Sequence, residues 1–137
     1  MSVIGGPKIV TSGLIFHIDA SNQKCYSGSG TSVSTATQTK LSFDTKVFDT
    51  NNNFASSRFT PTVAGYYMCV AQVQFGSTAY NIQLQFVKNG SVWMYGPYPN
   101  VGSGQNSYNQ MSGMAYMNGT TDYMEVYVYQ ASGSTAT

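Results

Sequence analysis

Few residues of this chain are of a type that could do chemistry. The single histidine, His17, lies two residues before Asp19, and Ser12 and Ser21 are nearby. A serine, a histidine and an aspartate can together catalyse acyl transfer. That reaction also needs the serine on a sharp turn and an oxyanion hole, and the sequence supplies neither. We therefore interpret this segment as a surface strand and predict no catalytic residue in it.

The other acidic residues are Asp44, Asp49, Asp122 and Glu125. Glycoside hydrolysis needs two carboxyl groups that face each other across a cleft. Asp122 and Glu125 fall at opposite strand parity, and Asp44 and Asp49 flank a turn, so solvated strand ends explain them better. Residues 49–53 form either a capped turn or, as the alternative, a calcium-binding loop. We predict a protein that is not an enzyme and that has no metal or other cofactor.

Two cysteines leave the redox state of the chain open. Cys25 lies in a Gly/Ser-rich segment and Cys69 lies inside a predicted strand. They either form a disulfide or stay apart, with Cys69 acting as a small buried hydrophobic residue. A zinc site built from both cysteines and His17 would lack a fourth ligand and any recognisable spacing.

Composition restricts the possible partners. The chain has 137 residues, only 8% of them charged, and a net charge of +1. This size suits one domain with one core. The charge is too low for a phosphate-binding stripe or an anionic-membrane anchor, so we expect no nucleic-acid and no membrane partner. The first residues show no secretion signal, so we expect synthesis in the cytoplasm.

The chain is organised around a long predicted strand that begins at Gly65 and ends at Phe75. Apolar residues alternate along it with a period of two, and no segment of useful length shows a helical period. The outward positions at its start, Tyr66 and Met68, are also apolar, so we expect its first half to be covered on both faces. Further strands are predicted near residues 14–18, 82–87, 92–95, 111–117 and 123–129.

Two Asn-Gly pairs predict tight turns. Asn89-Gly90 is the dipeptide of a type I′ hairpin turn. Asn118-Gly119 predicts a second hairpin, between the last two strands. Residues 27–38 are a Ser/Gly/Thr-rich linker that we expect to pack no core. We therefore divide the chain into residues 1–38, an arm with a first strand and this linker, and residues 39–137, the main domain.

Three short motifs make the main domain similar to one known family. They are the pattern formed by Phe59, Gly65 and Tyr67, the segment 41–54 with its asparagine-rich turn, and the segment 84–90 ending in Lys-Asn-Gly. Together they resemble the complement component 1q and tumour-necrosis-factor jelly-roll family over residues 39–130. The resemblance implies an all-β jelly-roll sandwich of two antiparallel sheets that assembles as a trimer.

The N-terminal segment carries a second resemblance. Residues 13–31 are similar to the opening of laminin-G or concanavalin-like modules in tailed-phage virion proteins. In those modules a much longer sandwich follows. Here the similarity ends after the Ser/Gly run, so the sugar-binding role of such modules is not carried over.

The family resemblance also implies a closing strand that this sequence does not show, because residues 132–137 have no strand pattern. We expect the strand around Leu14 to Ile18 to take that place, either within the chain or from a neighbour, since an open edge invites aggregation. The rival interpretation is that residues 1–30 dock on another protein. The anchoring residues would then be Ile4, Ile9, Leu14, Phe16 and Ile18.

Tyrosines are the most informative side chains. A row of them on a sheet face marks either a subunit interface or a platform on which sugars stack. We favour the interface, because the resemblance implies a sheet that faces a threefold axis. The predicted interface residues are Phe48, Tyr66, Tyr67, Tyr123, Tyr127 and Tyr129. A possible ligand loop carries Tyr95, Tyr98 and Tyr108.

Taken together, the two resemblances imply a bacteriophage structural protein located in the virion. We expect a homotrimer that decorates the capsid as a cement protein or attaches elsewhere on the particle surface, with capsid or tail proteins as partners. The alternative is a tail fibre or receptor-binding adhesin that recognises glycans on the host surface.

Overall fold

The computed structural model describes the backbone of residues 16–19, together with residues 32–43, 46, 49–75, 81–99, 107–131 and 133. This part of the chain is all-β and contains no helix. It accordingly has no helix of the length and hydropathy needed to cross a membrane. The strands are β1 (Phe16–Asp19), β2 (Thr39–Lys40), β3 (Phe54–Ala55), β4 (Arg58–Phe59), β5 (Gly65–Phe75), β6 (Ile82–Lys88), β7 (Ser91–Tyr95), β8 (Ser107–Met117) and β9 (Met124–Gln130).

The strands form two sheets. The smaller has the order β1-β5-β8, and the larger has the order β3-β4-β9-β6-β7 with β2 also paired to β9. Every pairing is antiparallel except that of β1 with β5. The predicted all-β class with antiparallel sheets is confirmed, with this one parallel pair as the exception.

The long predicted strand is present as β5, which pairs along its whole length with β8. The register runs from Gly65 opposite Met117 to Phe75 opposite Ser107. The odd-numbered residues from Tyr67 to Phe75 are buried, as the two-residue period predicts. In β8 the buried residues include Met111, Ala115 and Met117. The alternation in the sequence therefore identifies the inward faces correctly.

The inward faces of both sheets meet in one hydrophobic core. From the smaller sheet come Tyr67, Cys69, Ala71, Val73, Phe75, Met111, Ala115 and Met117, and from the larger sheet and its flanking segments come Val33, Leu41, Phe54, Phe59, Ile82, Leu84, Phe86, Met124, Val126 and Val128. Neither sheet could bury its apolar face alone.

One predicted turn is confirmed and the other is wrong. Asn89 and Gly90 have φ angles of 53° and 81°, as a type I′ turn between β6 and β7 requires. Asn118 and Gly119 do not turn a hairpin, because β8 belongs to the smaller sheet and β9 to the larger. The segment between them crosses from one sheet to the other.

The segment taken as a linker takes part in the core. Val33 is completely buried, and its carbonyl accepts a hydrogen bond of 3.0 Å from Nε2 of Gln130. The backbone nitrogen of Ala36 donates to the carbonyl of the same glutamine at 2.8 Å. The expectation that this segment packs no core is therefore wrong at Val33, because composition cannot show that a single valine is held against β9.

The N-terminal strand is present as β1. Its residues Phe16 and Ile18 lie opposite Cys69 and Ala71 of β5, in parallel. β1 therefore pairs with the edge of β5 that β8 leaves free. Phe16 and Ile18 thus lie in a strand that is paired within the chain, while Ile4, Ile9 and Leu14 lie outside the described residues.

Candidate interaction surfaces

The outward face of the smaller sheet carries four large apolar side chains that lie side by side. Tyr66 is paired in register with Tyr116, and Met68 with Met114. The two tyrosine rings pack edge to face, with centroids 5.4 Å apart. Their exposed fractions are 70% for Tyr66, 44% for Met68, 61% for Met114 and 49% for Tyr116. We call these four residues the aromatic–methionine patch.

Tyr67 lies on the opposite side of β5 from this patch. It is 8% exposed and packs edge to face on Phe59, with ring centroids 5.3 Å apart. Its hydroxyl donates a 2.7 Å hydrogen bond to the carbonyl of Val63, and burial raises its pKa. Tyr67 therefore belongs to the core, and we leave it out of the proposed contact surface.

The outward face of the larger sheet carries the other predicted tyrosines. A row across it runs from Tyr95 in β7 through Gln85 in β6 and Tyr127 in β9 to Lys40 in β2. Tyr95 is 60% exposed, whereas Gln85 is 2% exposed and its Oε1 has no hydrogen-bond partner among the described residues. Tyr127 is half-buried. The predicted interface tyrosines thus divide between two sheets and do not form one surface.

Next to this row, Tyr129 is half-buried in β9 and its ring centroid lies 6.3 Å from that of Tyr98. Tyr98 is 47% exposed and Tyr108 is 59% exposed. Tyr108 belongs to β8, in the smaller sheet, so the three tyrosines of the predicted ligand loop also do not share one sheet. Phe48 lies outside the described residues.

Glu125 is the centre of an ion-pair cluster on the larger sheet. It is 4% exposed, and its Oε1 accepts from Lys40 Nζ at 2.7 Å and from Arg58 Nε at 2.9 Å. The guanidinium carbon of Arg58 lies 3.8 Å from the centre of the Tyr123 ring, as in a cation–π contact. Burial raises the pKa of Glu125, but the hydrogen bonds and charges of its two partners outweigh burial and lower it overall.

Asp122 organises the connection that crosses from β8 to β9. It accepts a hydrogen bond from Asn89 Nδ2 at 2.7 Å and pairs with Lys88 Nζ at 3.0 Å. These two contacts are the main reasons why its pKa is lowered. Oδ1 of Asn118 caps the same loop by accepting from the backbone nitrogens of residues 120, 121 and 122.

Asp49 caps the asparagine-rich turn. Its carboxylate accepts from the backbone nitrogens of Asn53 and Phe54 at 2.8 and 3.0 Å and pairs with Lys46 at 3.1 Å. Burial raises its pKa, but these hydrogen bonds lower it further than burial raises it. Of the two interpretations left open by the sequence, the contacts support the capped turn.

These arrangements give the described acids structural roles. Asp49, Asp122 and Glu125 are each neutralised by a lysine or arginine, and the described residues contain no cluster of three or more His, Cys, Asp or Glu that could hold a metal. The expectation of solvated strand ends is wrong for all three. The cationic partners of Asp122 and Glu125 are distant in the sequence, which offers no signal for these pairings, whereas Lys46 is a near neighbour of Asp49.

Comparison with known proteins adds no identification. No protein-family model matches this sequence, and no curated protein matches it either. The protein is all-β with two sheets, and its candidate surfaces are the aromatic–methionine patch and the tyrosine-rich outward face of the larger sheet.

Proposed function

We propose that this protein is a non-enzymatic structural protein of a tailed-bacteriophage virion, a homotrimeric jelly roll that decorates the capsid. The phage and family assignments rest on the two sequence resemblances. The sheet orders support a jelly roll, because the chain crosses repeatedly between the two facing sheets, from β4 to β5, from β5 to β6, from β7 to β8 and from β8 to β9.

The aromatic–methionine patch is the observation that carries the trimer. The sequence predicts that the first half of β5 is covered on both faces, yet Tyr66 and Met68 are 70% and 44% exposed in the single chain. Contiguous apolar side chains of this kind are typical of protein–protein contact surfaces. A second and third copy of the chain would cover the patch, and the low charge of the sequence suits burial between subunits.

In this proposal, attachment to the particle depends on multivalency. Three copies would contact neighbouring capsid subunits at once, so a weak contact by each arm would give tight binding by the trimer. The virion is the proposed location, and capsid or tail proteins are the proposed partners.

Size-exclusion chromatography with light scattering tests the assembly. We expect a species of three times the 14.8 kDa chain mass, and a monomer at high concentration would contradict the proposal. Cryo-electron microscopy of particles of the phage that encodes the protein tests its location. We expect threefold density on the capsid surface.

Deletion of residues 1–30 separates the two roles considered for the N-terminal segment. If β1 closes the smaller sheet, its removal exposes an edge of β5 and the protein aggregates. If the segment is instead a docking arm, the truncated protein stays trimeric and fails to attach to particles.

The second candidate is a receptor-binding adhesin on the tail. The observation in its favour is the exposure of two tyrosines, Tyr95 at the end of β7 and Tyr98 just after it, since exposed tyrosines can stack on sugars. A glycan array probed with the purified protein distinguishes the two functions. Specific binding that is lost in Tyr98→Ala would favour the adhesin.

A further inference from the structure

An open polar cleft lies beside the short hairpin formed by β3 and β4. Its volume is about 940 Å³, including open solvent. Two of its lining residues are cations, none is an acid, and the lining consists of Lys40, Asn52, Asn53, Ala55, Ser56, Arg58 and Thr60. The cleft is on the larger sheet, away from the aromatic–methionine patch on the smaller one.

The two cations share a single carboxylate. Oε1 of Glu125 accepts from both Lys40 and Arg58, so the cluster of three charges has a net charge of +1. Both cations retain contact with water, with side-chain exposed fractions of 31% for Lys40 and 44% for Arg58. The cleft therefore presents positive charge to a ligand.

Both cations also retain donors. A lysine ammonium has three N–H groups, and Lys40 uses two of them, on Glu125 and on the carbonyl of Ser56 at 3.0 Å. Arg58 donates to Glu125 through Nε alone. Among the described residues, no hydrogen bond uses the two terminal nitrogens of Arg58. These two nitrogens can bind the two oxygens of an oxyanion end-on.

The guanidinium of Arg58 is also held in place before any ligand arrives. Glu125 fixes its Nε edge and the Tyr123 ring covers one of its faces. A side chain that is already ordered loses less conformational entropy on binding than a free one. Asn52 beside it has φ of 53° and its Oδ1 is already occupied by Lys46, which leaves the amide nitrogen as a further donor.

We propose that this cleft binds an oxyanion, the carboxylate or phosphate group of a ligand. The anion takes the two terminal nitrogens of Arg58 and the third N–H of Lys40. The amide of Asn52 and the hydroxyl of Thr60 line the space next to it and can contact the rest of the ligand. Binding is non-covalent and leaves the Glu125 contacts in place.

Titration of the 15N-labelled protein with sodium phosphate and, separately, with sodium galacturonate tests the proposal, with sodium chloride at matched ionic strength as reference. We expect saturable shifts of the amides of residues 52–60 that chloride does not produce. Shifts with galacturonate alone identify a carboxylate-bearing ligand, shifts with phosphate alone identify a phosphate-bearing ligand, and shifts with both support recognition of the oxyanion itself. If neither salt differs from chloride, the proposal is wrong.

A pair of variants places the anion in the cleft. Asn52→Asp adds a negative charge to the lining without removing Lys40, Arg58 or Glu125, and Asp tolerates a positive φ. We expect it to raise the Kd of the effective salt by about fivefold or more, from charge repulsion at short range. Thr120→Asp makes the same charge change at an exposed residue outside the lining and serves as the control. Equal Kd values for the two variants would overturn the placement.

The result is independent of the proposed trimer. Arg58→Gln should abolish the shifts while the mass in solution stays that of the wild type. If the wild-type protein is a monomer and still shows the anion-induced shifts, the proposed assembly is wrong and the proposed anion site stands.

Discussion

The side-chain amide of Asn89 donates a 2.7 Å hydrogen bond to Oδ1 of Asp122, although the two residues are 33 positions apart. Asn89 also accepts from the backbone nitrogen of Tyr123 at 2.9 Å and donates its own backbone N–H to the carbonyl of Tyr123 at 3.1 Å. The turn of the β6–β7 hairpin is thus fixed to the segment that crosses between the sheets. One residue makes the turn and joins the two regions.

This double role predicts different costs for two substitutions at position 89. Asn89→Gly removes the side-chain hydrogen bonds but suits the φ of 53°, whereas Asn89→Ala removes the same bonds and is strained there. We expect both to lower the free energy of unfolding, and Ala to do so by about 1 kcal/mol more than Gly. Urea denaturation measures both. Equal stability of the alanine variant and the wild type would contradict the joining role.

Gly119 is required for a close approach of two chain segments. A Cβ there would overlap the backbone nitrogen of Ala64, and the φ is 72°. We expect Gly119→Ala to lower the free energy of unfolding by about 3 kcal/mol or more, from overpacking and strain combined. Gly133 is the control, since it has φ of 83° but no atom of the described residues within 4 Å of the position that a Cβ would take. Gly133→Ala should cost only the strain of about 1 kcal/mol.

Acid should destabilise the protein through its paired carboxylates. The pKa of Glu125 lies below its ordinary value of 4.5 in the folded chain, and Asp49 and Asp122 shift in the same direction from 3.8. A carboxyl group whose folded pKa is lowered stabilises the fold above its unfolded pKa, and this stability is lost as the pH falls through the folded pKa. We expect the free energy of unfolding, measured by urea denaturation at a series of pH values, to fall as the pH decreases below about 4.5.

Glu125→Gln tests the largest of these clusters. At pH 7 we expect a loss of about 1–2 kcal/mol, kept small because water screens the partly exposed Arg58. The gap between variant and wild type should narrow as the pH falls below about 4.5, since protonation of the carboxyl removes the charge that pairs with Lys40 and Arg58. A stability gap that widens on acidification would contradict the lowered pKa of Glu125.

Cys69 should be chemically inert in the folded protein. Its side chain is 5% exposed, and burial raises the pKa of the thiol to about 11, so little thiolate exists at neutral pH. In a Cys25→Ser variant, where Cys69 is the remaining cysteine, we expect no reaction with a thiol reagent at pH 8 until denaturant is added. Fast reaction in the absence of denaturant would contradict the burial.

The aromatic–methionine patch should be sensitive to charge. Met114→Lys places an ammonium on a side chain that is 61% exposed, and around a threefold axis three such charges would converge. We expect dissociation of the proposed trimer to monomers, since central interface residues each contribute about 2 kcal/mol or more. Tyr95→Lys, at 60% exposure on the other sheet, is the matched control and should remain trimeric. The same mass for both variants would exclude the patch as the interface.

The faces of the long strands could be predicted from the sequence. The alternation along β5 and β8 separates Tyr67 from Tyr66 and Met117 from Tyr116, because successive side chains of a strand point to opposite sides. The same period places Met124, Val126 and Val128 in the core. These are local properties, and local patterns are sufficient for them.

The ion-pair clusters could not be predicted in the same way. Glu125 occupies an outward position of β9 and is nevertheless buried, because Lys40 from β2 and Arg58 from β4 close over it. These partners are 85 and 67 positions away, and only the strand register brings them together. A carboxylate at an outward position therefore looks solvated until the sheet order is known.

Turn chemistry is informative about shape and not about topology. Asn89-Gly90 and Asn118-Gly119 have the same dipeptide, but only the first joins strands of one sheet. A left-handed glycine reverses or redirects the chain equally well in both settings. Which of the two occurs depends on where the following strand finds a partner.

The place of β9 has a consequence for how this protein is made. It is the last strand of the described chain, yet it lies between β4 and β6 and bonds to both. On the ribosome, the larger sheet therefore cannot be completed until residue 130 has emerged. Until then β4 and β6 lack β9, the strand that pairs with both. Assembly of the larger sheet should therefore be slow, since the decisive contacts are distant in sequence.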